Sequence, residues 1–357
     1  MTLSERLRAF VRERYALGGL GELLTHKTVP VHRHTVWYYC GGMTLVLIAI
    51  QIASGLLLLL YYRPSVDGAF ESVRFIMTKV EFGWLVRSVH AWAANLAILS
   101  AFIHLASTYF LKAYRPPREL TWVSGVLLFF LLLGFGFTGY LLPWNTLAFF
   151  ATKVGTEITA SVPVVGPVIG TILRGGPDVG DATLSRFFWL HIAVLPVGLA
   201  MLLGAHLFMV QVQGMSKPLS VREERSMPFV PNFLLRDLVA WSVMLGLVLA
   251  VSVYQPATLG TKADPFAPTP AGIEPEWYFL WMFQTLKFFP GHLLGVEGEL
   301  VAIGLIGVAG LTVVLVPWLD RPGRQGRSAW FIWLAGVAGL AYIVGMTGYA
   351  LWIGRQH

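Results

Sequence analysis

Long apolar stretches separated by short polar ones set the pattern of this chain. Seven stretches each hold roughly the 20 residues that a helix needs to cross a bilayer: about 36–61, 83–110, 121–142, 186–211, 237–254, 298–318 and 329–353. Hydrocarbon offers the backbone no hydrogen-bond partner, so each stretch must bond internally, and a helix is the element predicted. The expected fold is an all-α polytopic membrane protein. It divides into an inner-surface segment (1–34), a four-helix part (35–215) and a three-helix part (216–357), with a polar break near Ser216–Arg236. No close repeat relates the two helical parts.

Two connections are long, Pro143 to about Ser185 and Gln255 to about Glu297. Long loops in compact proteins are usually functional. The first opens Leu142-Pro143-Trp144-Asn145 and is apolar enough for short helices at the membrane interface. Residues 1–20 fit either a basic amphipathic helix on the membrane surface or a frayed tail.

Composition removes the soluble alternatives. Only 13% of the 357 residues are charged, against about 25% in an ordinary globular domain, and mean hydropathy is +0.66. Residues 1–34 lack the apolar core of a cleavable signal peptide. The net charge of +7 is spread unevenly. With the N-terminus in the cytoplasm, well over half of the 26 Lys and Arg residues fall on the inner side, among them Arg12, Arg14, Lys112, Arg115, Arg118, Arg222 and Arg327. That bias orients a membrane protein N-in, C-out, and nucleic-acid binding loses its support. The single cysteine, Cys40, excludes an internal disulfide, a Cys-x-x-Cys-His haem site and a Cys-ligated iron–sulfur cluster.

Metal chemistry then rests on histidine. His90 and His104 lie 14 residues apart in the second stretch, and His191 and His206 lie 15 apart in the fourth. At about 100° per residue each pair returns to one helix face, and its members are separated by about 21–22 Å along the axis. The two stretches run in the same direction, so His90 levels with His191 and His104 with His206. The first and third stretches repeat the spacing with Gly41 and Gly55, and with Gly125 and Gly139. Glycine lets a flat macrocycle approach the backbone. Two ligand-bearing helices and two gapped ones, marking the same two levels, suit a four-helix bundle holding two haems. Small-residue helix packing with interhelical histidine bonds is the competing reading. It explains one intramembrane histidine far better than four at matched spacing. Arg87 and Arg186 lie just before the outer pair, where haem propionates would emerge; snorkelling at a helix end is the alternative.

These residues resemble cytochrome b of the bc and b6f complexes over about residues 25–320. The matching pieces are Arg87-Ser88-Val89-His90, Arg118-Glu119-Leu120-Thr121-Trp122, Gly139-Tyr140-Leu141-Leu142-Pro143-Trp144, His191 with His206, and Pro275-Glu276-Trp277-Tyr278. The 15-residue step and the seven spans are similar to the b6f type, with cytochrome b6 and subunit IV joined in one bacterial chain. The resemblance implies two b haems ligated by His90 with His191 and by His104 with His206, in a multi-pass subunit of the bacterial inner membrane. It implies a quinol–cytochrome c reductase that oxidises quinol at the outer side near Pro275, Glu276, Trp277 and Tyr278. One electron would pass to a Rieske iron–sulfur protein and on to a c-type cytochrome. The other would cross the two haems to quinone at the inner side, with two protons released outward. A homodimer in membrane lipid is implied as well. Glu276 is the expected proton acceptor: a partly desolvated carboxylate has a raised pKa and can take a quinol proton. Tyr278 is placed with it in the catalytic pair.

Three positions depart from the family. The b6f type carries a third haem on a cysteine near the start of the first helix, with one residue between that cysteine and a Gly-Gly pair; here Cys40 abuts Gly41-Gly42 directly. A covalent haem at Cys40 is therefore the lesser expectation, and a free buried thiol the greater. Gln211 stands where the family has an arginine near that haem. Ser107 stands where an arginine usually serves the inner haem, with Lys112 and Arg115 as candidate substitutes. Two other functions compete. A di-haem membrane anchor of a quinone-linked dehydrogenase would not need the segment around 275–278. A cofactor-free transporter would not need matched His and Gly levels, and the chain lacks paired broken helices.

Overall fold

The computed structural model describes residues 27–221, 225–270, 272–293, 295–325 and 330–354. The expected surface helix at 1–20, Arg222 and Arg327 lie outside these residues. Seven helices are long and apolar enough to span a membrane: Thr35–Leu59, Gly83–Phe110, Glu119–Leu141, Asp181–Gln213, Phe229–Tyr254, Gly298–Gly323 and Trp330–Gly354. The sequence pattern located all seven. It started the fourth and fifth too late, because Asp181 and Phe229 open those helices with polar or aromatic residues that hydropathy discounts.

In chain order the helices are α1 (Tyr39–Leu59), α2 (Ala69–Lys79), α3 (Gly83–Phe110), α4 (Glu119–Leu141), α5 (Thr146–Ser161), α6 (Gly166–Arg174), α7 (Asp181–Gln213), α8 (Leu234–Tyr254), α9 (Trp277–Phe288), α10 (Gly298–Leu319), α11 (Arg321–Arg324) and α12 (Trp330–Gly354). Helices α1, α3, α4 and α7 form the bundle, with α1 packed on α3 and α7 on α4. Helix α8 lies against α1 and α3, α10 against α4, and α12 against α9. Outward-facing residues such as Met201, Val243 and Val344 are more than 60% exposed. Apolar surface on this scale is matched by lipid, not by water.

The two ends of the bundle are built differently. At one, the loop end, both long connections fold into a cap. Trp144 is fully buried there with Phe149, Phe150, Leu184 and Phe187. Asn145 caps α5 by accepting from Ala148 N at 2.9 Å and donates to Leu259 O at 2.8 Å. Thr146 N donates to Thr261 O at 2.9 Å. The Pro-Trp-Asn turn thereby joins the first long loop to the second.

At the strand end, β1 (Thr28–Pro30) pairs antiparallel with β2 (Ser226–Pro228), so the segment before α1 is stitched to the segment before α8. Nearby Asp320 is fully buried and accepts from Lys112 Nζ at 2.7 Å and from Tyr114 Oη at 2.8 Å. Removing one partner of a buried pair leaves the other charge uncompensated, at a cost of about 3 kcal/mol or more. Asp320→Ala is expected to lower the thermal midpoint of the purified protein clearly. A midpoint equal to wild type would show that the pair carries no stability.

Candidate functional site

The bundle interior is where α3 and α7 present their histidines. The rings of His90 and His191 are 6.4 Å apart between centroids and inclined at 70°. Two metal–nitrogen bonds of about 2 Å each, added to the ring radii, span a similar distance. One level down, His206 is near enough to His104 to act on it electrostatically. Helix α7 also explains its longer step. Residues Leu190–Val194 wind as one wide π turn. That turn absorbs one extra residue and brings His191 back in line with His206. Pro196, which has no N–H to donate to the carbonyl four residues earlier, sits just beyond it. The sequence contained the 15-residue step but not its cause.

The four glycines face the four histidines. A Cβ on Gly55 would stand 3.2 Å from His90 Cε1, one on Gly41 3.2 Å from His104 Cε1, one on Gly125 3.2 Å from His206 Cε1, and one on Gly139 2.6 Å from His191 Cε1. Side chains here would push on the imidazoles. The levels are those that the spacing predicts: His90, His191, Gly55 and Gly139 towards the loop end, and the other four towards the strand end.

Three hydroxyls set the rings, and sequence reasoning missed all of them. Ser54 Oγ is 3.0 Å from His90 Nδ1, Thr138 Oγ1 is 3.1 Å from His191 Nδ1, and Ser124 Oγ is 2.9 Å from His206 Nδ1. Each hydroxyl also donates to a carbonyl of its own helix: Ile50 O at 2.6 Å, Gly134 O at 2.8 Å and Thr121 O at 2.9 Å. With its proton so placed, each oxygen accepts from Nδ1–H, and Nε2 is left with its lone pair for a metal. Among the described residues no group of three or more His, Cys, Asp or Glu converges. Two nitrogen donors per level fit a metal whose other positions a macrocycle fills. The donor set, the glycine clearances and the fixed tautomers all fit b-type haem.

The expected propionate arginines have other partners. Arg87 donates to Ala257 O at 2.6 Å and Thr258 O at 2.9 Å, and Arg186 to the carbonyls of Thr171 and Ile172. Both brace the loop-end cap. Lys112, one expected substitute at Ser107, is held by Asp320. Arg115 is held by the carbonyls of Lys112 and Lys217, each within 2.9 Å. Gln211 accepts from Lys27.

Pro275, Glu276, Trp277 and Tyr278 form the entry to α9, all partly buried against the bundle. Trp277 Nε1 donates to Asn95 Oδ1 on α3 at 2.7 Å. The Tyr278 phenol lies over Gly136 of α4, 2.5 Å from where a Cβ would be. Gly136 and Gly139 are almost one helical turn apart, so Tyr278 and His191 meet the same stretch of α4. Burial pushes the Glu276 carboxyl up from its ordinary pKa. Burial and the Glu276 charge together push the Tyr278 phenol up. The Glu276 carboxylate forms no hydrogen bond or ion pair with the described residues, and it bears electrostatically on Tyr140. Cys40 is buried and free, at the strand end of α1.

Comparison with known proteins bears on these features. The family model described as Cytochrome b/b6/petB matches residues 24–214, and the one described as Cytochrome b(C-terminal)/b6/petD matches residues 262–356. This chain belongs to the cytochrome b family. Membership implies b-type haems and quinone. A cytochrome bc complex cytochrome b subunit of Chlorobaculum thiosulfatiphilum is 48% identical over 316 residues, covering 87% of this chain and 73% of that protein. A menaquinol:cytochrome c reductase cytochrome b subunit of Geobacillus thermodenitrificans is 47% identical over 192 residues, 53% of this chain and 86% of the relative. A chain of a hyperthermophilic respiratory complex III superposes with a TM-score of 0.82 at 28% identity, covering 97% of this chain and 95% of the other. This cytochrome b thus carries in one chain the two family modules, with the polar break between them.

Proposed function

We propose that this cytochrome b is the quinol-oxidising subunit of a quinol:cytochrome c oxidoreductase. It works with a Rieske iron–sulfur protein and a c-type cytochrome, as a homodimer in the bacterial inner membrane with its N-terminus in the cytoplasm. The loop end then faces outward. Quinol oxidation to quinone releases two electrons and two protons, and the site must separate them. The observation that carries this reading is the shared stretch of α4: Tyr278 packs on Gly136 and His191 on Gly139. A quinol held at the head of α9 is thus next to the outer histidine level.

His90 with His191 and His104 with His206 would hold the two haems. Bound there, the haems supply a one-electron relay between the two sides of the membrane. The chain's own residues do the rest. Ser54, Thr138 and Ser124 hold the ligand tautomers. Trp277, tied to Asn95, fixes the first turn of α9. Glu276, unpaired and with a raised pKa, accepts a proton from quinol and passes it to the outer water. Menaquinol, the substrate in the name of the Geobacillus relative, is the quinol we assign. A di-haem anchor is disfavoured by the match of a petD-type module over 262–356, which an electron-passing anchor has no use for.

Bifurcation has a direct test. If one electron must leave for the high-potential acceptor before the other enters the b haems, adding an oxidant of the c-type cytochrome should make the b haems more reduced. The experiment uses the isolated complex with excess quinol and the inner quinone site inhibited. An oxidant that only bleaches the b-haem absorbance would overturn the proposal.

A further inference from the structure

The ligand-orienting hydroxyls follow a rule that only the structure exposes. Ser54, Ser124 and Thr138 each stand immediately before the glycine that faces their histidine: Ser54-Gly55, Ser124-Gly125 and Thr138-Gly139. The fourth member of the set is Cys40-Gly41. Gly41 meets His104 at the same 3.2 Å clearance as two of the others. Cys40 therefore occupies the slot that a hydroxyl fills in the other three. The consequence is visible on the ligand. Nδ1 of His104 is sealed from solvent and has no hydrogen-bond partner among the described residues. No hydrogen bond joins it to the Cys40 thiol, which is free and buried. A thiol is a weak acceptor beside a hydroxyl.

We propose that Cys40 is a positioning residue that leaves His104 without the Nδ1 hydrogen bond the other three ligands have, and so raises the reduction potential of the inner haem relative to the outer. The inference rests on the assignment of the four histidines as haem ligands. A ligand imidazole that donates Nδ1–H to an acceptor is the more basic ligand. A more basic ligand stabilises the oxidised, more positive iron and lowers its potential. At the outer level both histidines have that bond, through Ser54 and Thr138. At the inner level only His206 has it, through Ser124. The inner site is thus the better electron acceptor, and the asymmetry favours transfer from the quinol-oxidising side towards the inner side. The substitution of sulfur for oxygen at one position accomplishes this without any change in ligand type. The same reading makes Cys40 a non-covalent neighbour of the haem.

The test is a redox titration of the b haems in the intact complex carrying Cys40→Ser, Cys40→Ala or Ser124→Ala. A serine hydroxyl at 40 can donate to the carbonyl of Val36 or Trp37 and accept from His104. Cys40→Ser is expected to lower the inner potential by the equivalent of about a tenfold shift in its oxidised-to-reduced ratio, about 59 mV for one electron, with the outer haem unmoved. Ser124→Ala should move the inner potential the opposite way, and Cys40→Ala should leave it in place. A side chain that only fills space would give equal effects for serine and alanine. An unshifted inner potential in Cys40→Ser, with two b haems still titrating, would overturn the inference alone. Failure of any b haem to depend on His104 or His206 would instead overturn the ligand assignment. On a denaturing gel stained for haem peroxidase activity, a band at 39.5 kDa that vanishes in Cys40→Ala would overturn the inference about Cys40 and leave the ligand assignment standing, since a thioether sulfur cannot serve as the thiol described.

Discussion

Replacing His191 with alanine is expected to remove the outer b haem and leave the inner one spectrally normal; His206→Ala should do the reverse. In the proposed assignment each haem would have two protein donors and no third, so losing one would remove half of the protein's hold on that iron. The partner cannot recruit a substitute. Among the described residues no group of three or more His, Cys, Asp or Glu is placed to hold a metal, and the hydroxyls at Ser54, Ser124 and Thr138 face Nδ1 of the existing rings. An alanine also leaves a hole between α4 and α7 where the imidazole stood against Gly139 or Gly125. The two levels are about 21–22 Å apart along the helices, so the loss stays local. Reduced-minus-oxidised spectra with haem extraction and counting measure this directly. Normal spectra and two haems per chain in both variants would remove the ligand assignment, whatever the family.

Glu276→Gln should slow quinol oxidation by about a hundredfold, at the lower end of what a positioned base contributes, with haem content near wild type. Glutamine keeps the size and polarity of the side chain but cannot take a proton. The pH dependence carries the sharper signature. The active form of an acceptor is the carboxylate. Burial raises the pKa of Glu276, so wild-type turnover should fall as the medium is acidified through a point above the ordinary glutamate value of about 4.3. In Glu276→Gln that acid limb should disappear, leaving a low and flat rate. Tyr278 does not replace it. Burial and the Glu276 charge both raise its phenol pKa, so the phenol stays protonated and donates hydrogen bonds rather than accepting protons. Steady-state assays with quinol and cytochrome c across the neutral range make the comparison. A variant with wild-type turnover and an unchanged acid limb would place the proton acceptor elsewhere.

The spanning helices, their number and the two histidine levels were legible in the amino-acid sequence, because each depends on the chain's own neighbourhood. Hydropathy acts on a segment one residue at a time, and the turn angle of a helix converts spacing into a shared face without reference to any other element. His90 with His104, and Gly41 with Gly55, could be read in that way. What the sequence could not convey lies across helices. The bond from Thr138 to His191 joins residues 53 apart, and that from Trp277 to Asn95 joins residues 182 apart. Whether such pairs meet depends on the rotation and height of each helix against its neighbour, which packing decides and periodicity does not.

Arg87 and Arg186 show the same limit. Their place before the outer histidines suggested an anionic partner, but the carbonyls of the folded loops reach them. Lys112, marked as a substitute cation, meets an aspartate 208 residues away. The 15-residue step of α7 was visible as a number, and only the π turn at Leu190–Val194 made it equivalent to a step of 14. Cys40 is the clearest division. The sequence placed it beside a glycine at the inner level. Only the tertiary structure, by setting hydroxyls against three imidazoles and leaving the fourth Nδ1 bare, decided what a sulfur at that position does, because hydrogen bonding requires two groups within about 3 Å and no single strand of sequence contains both.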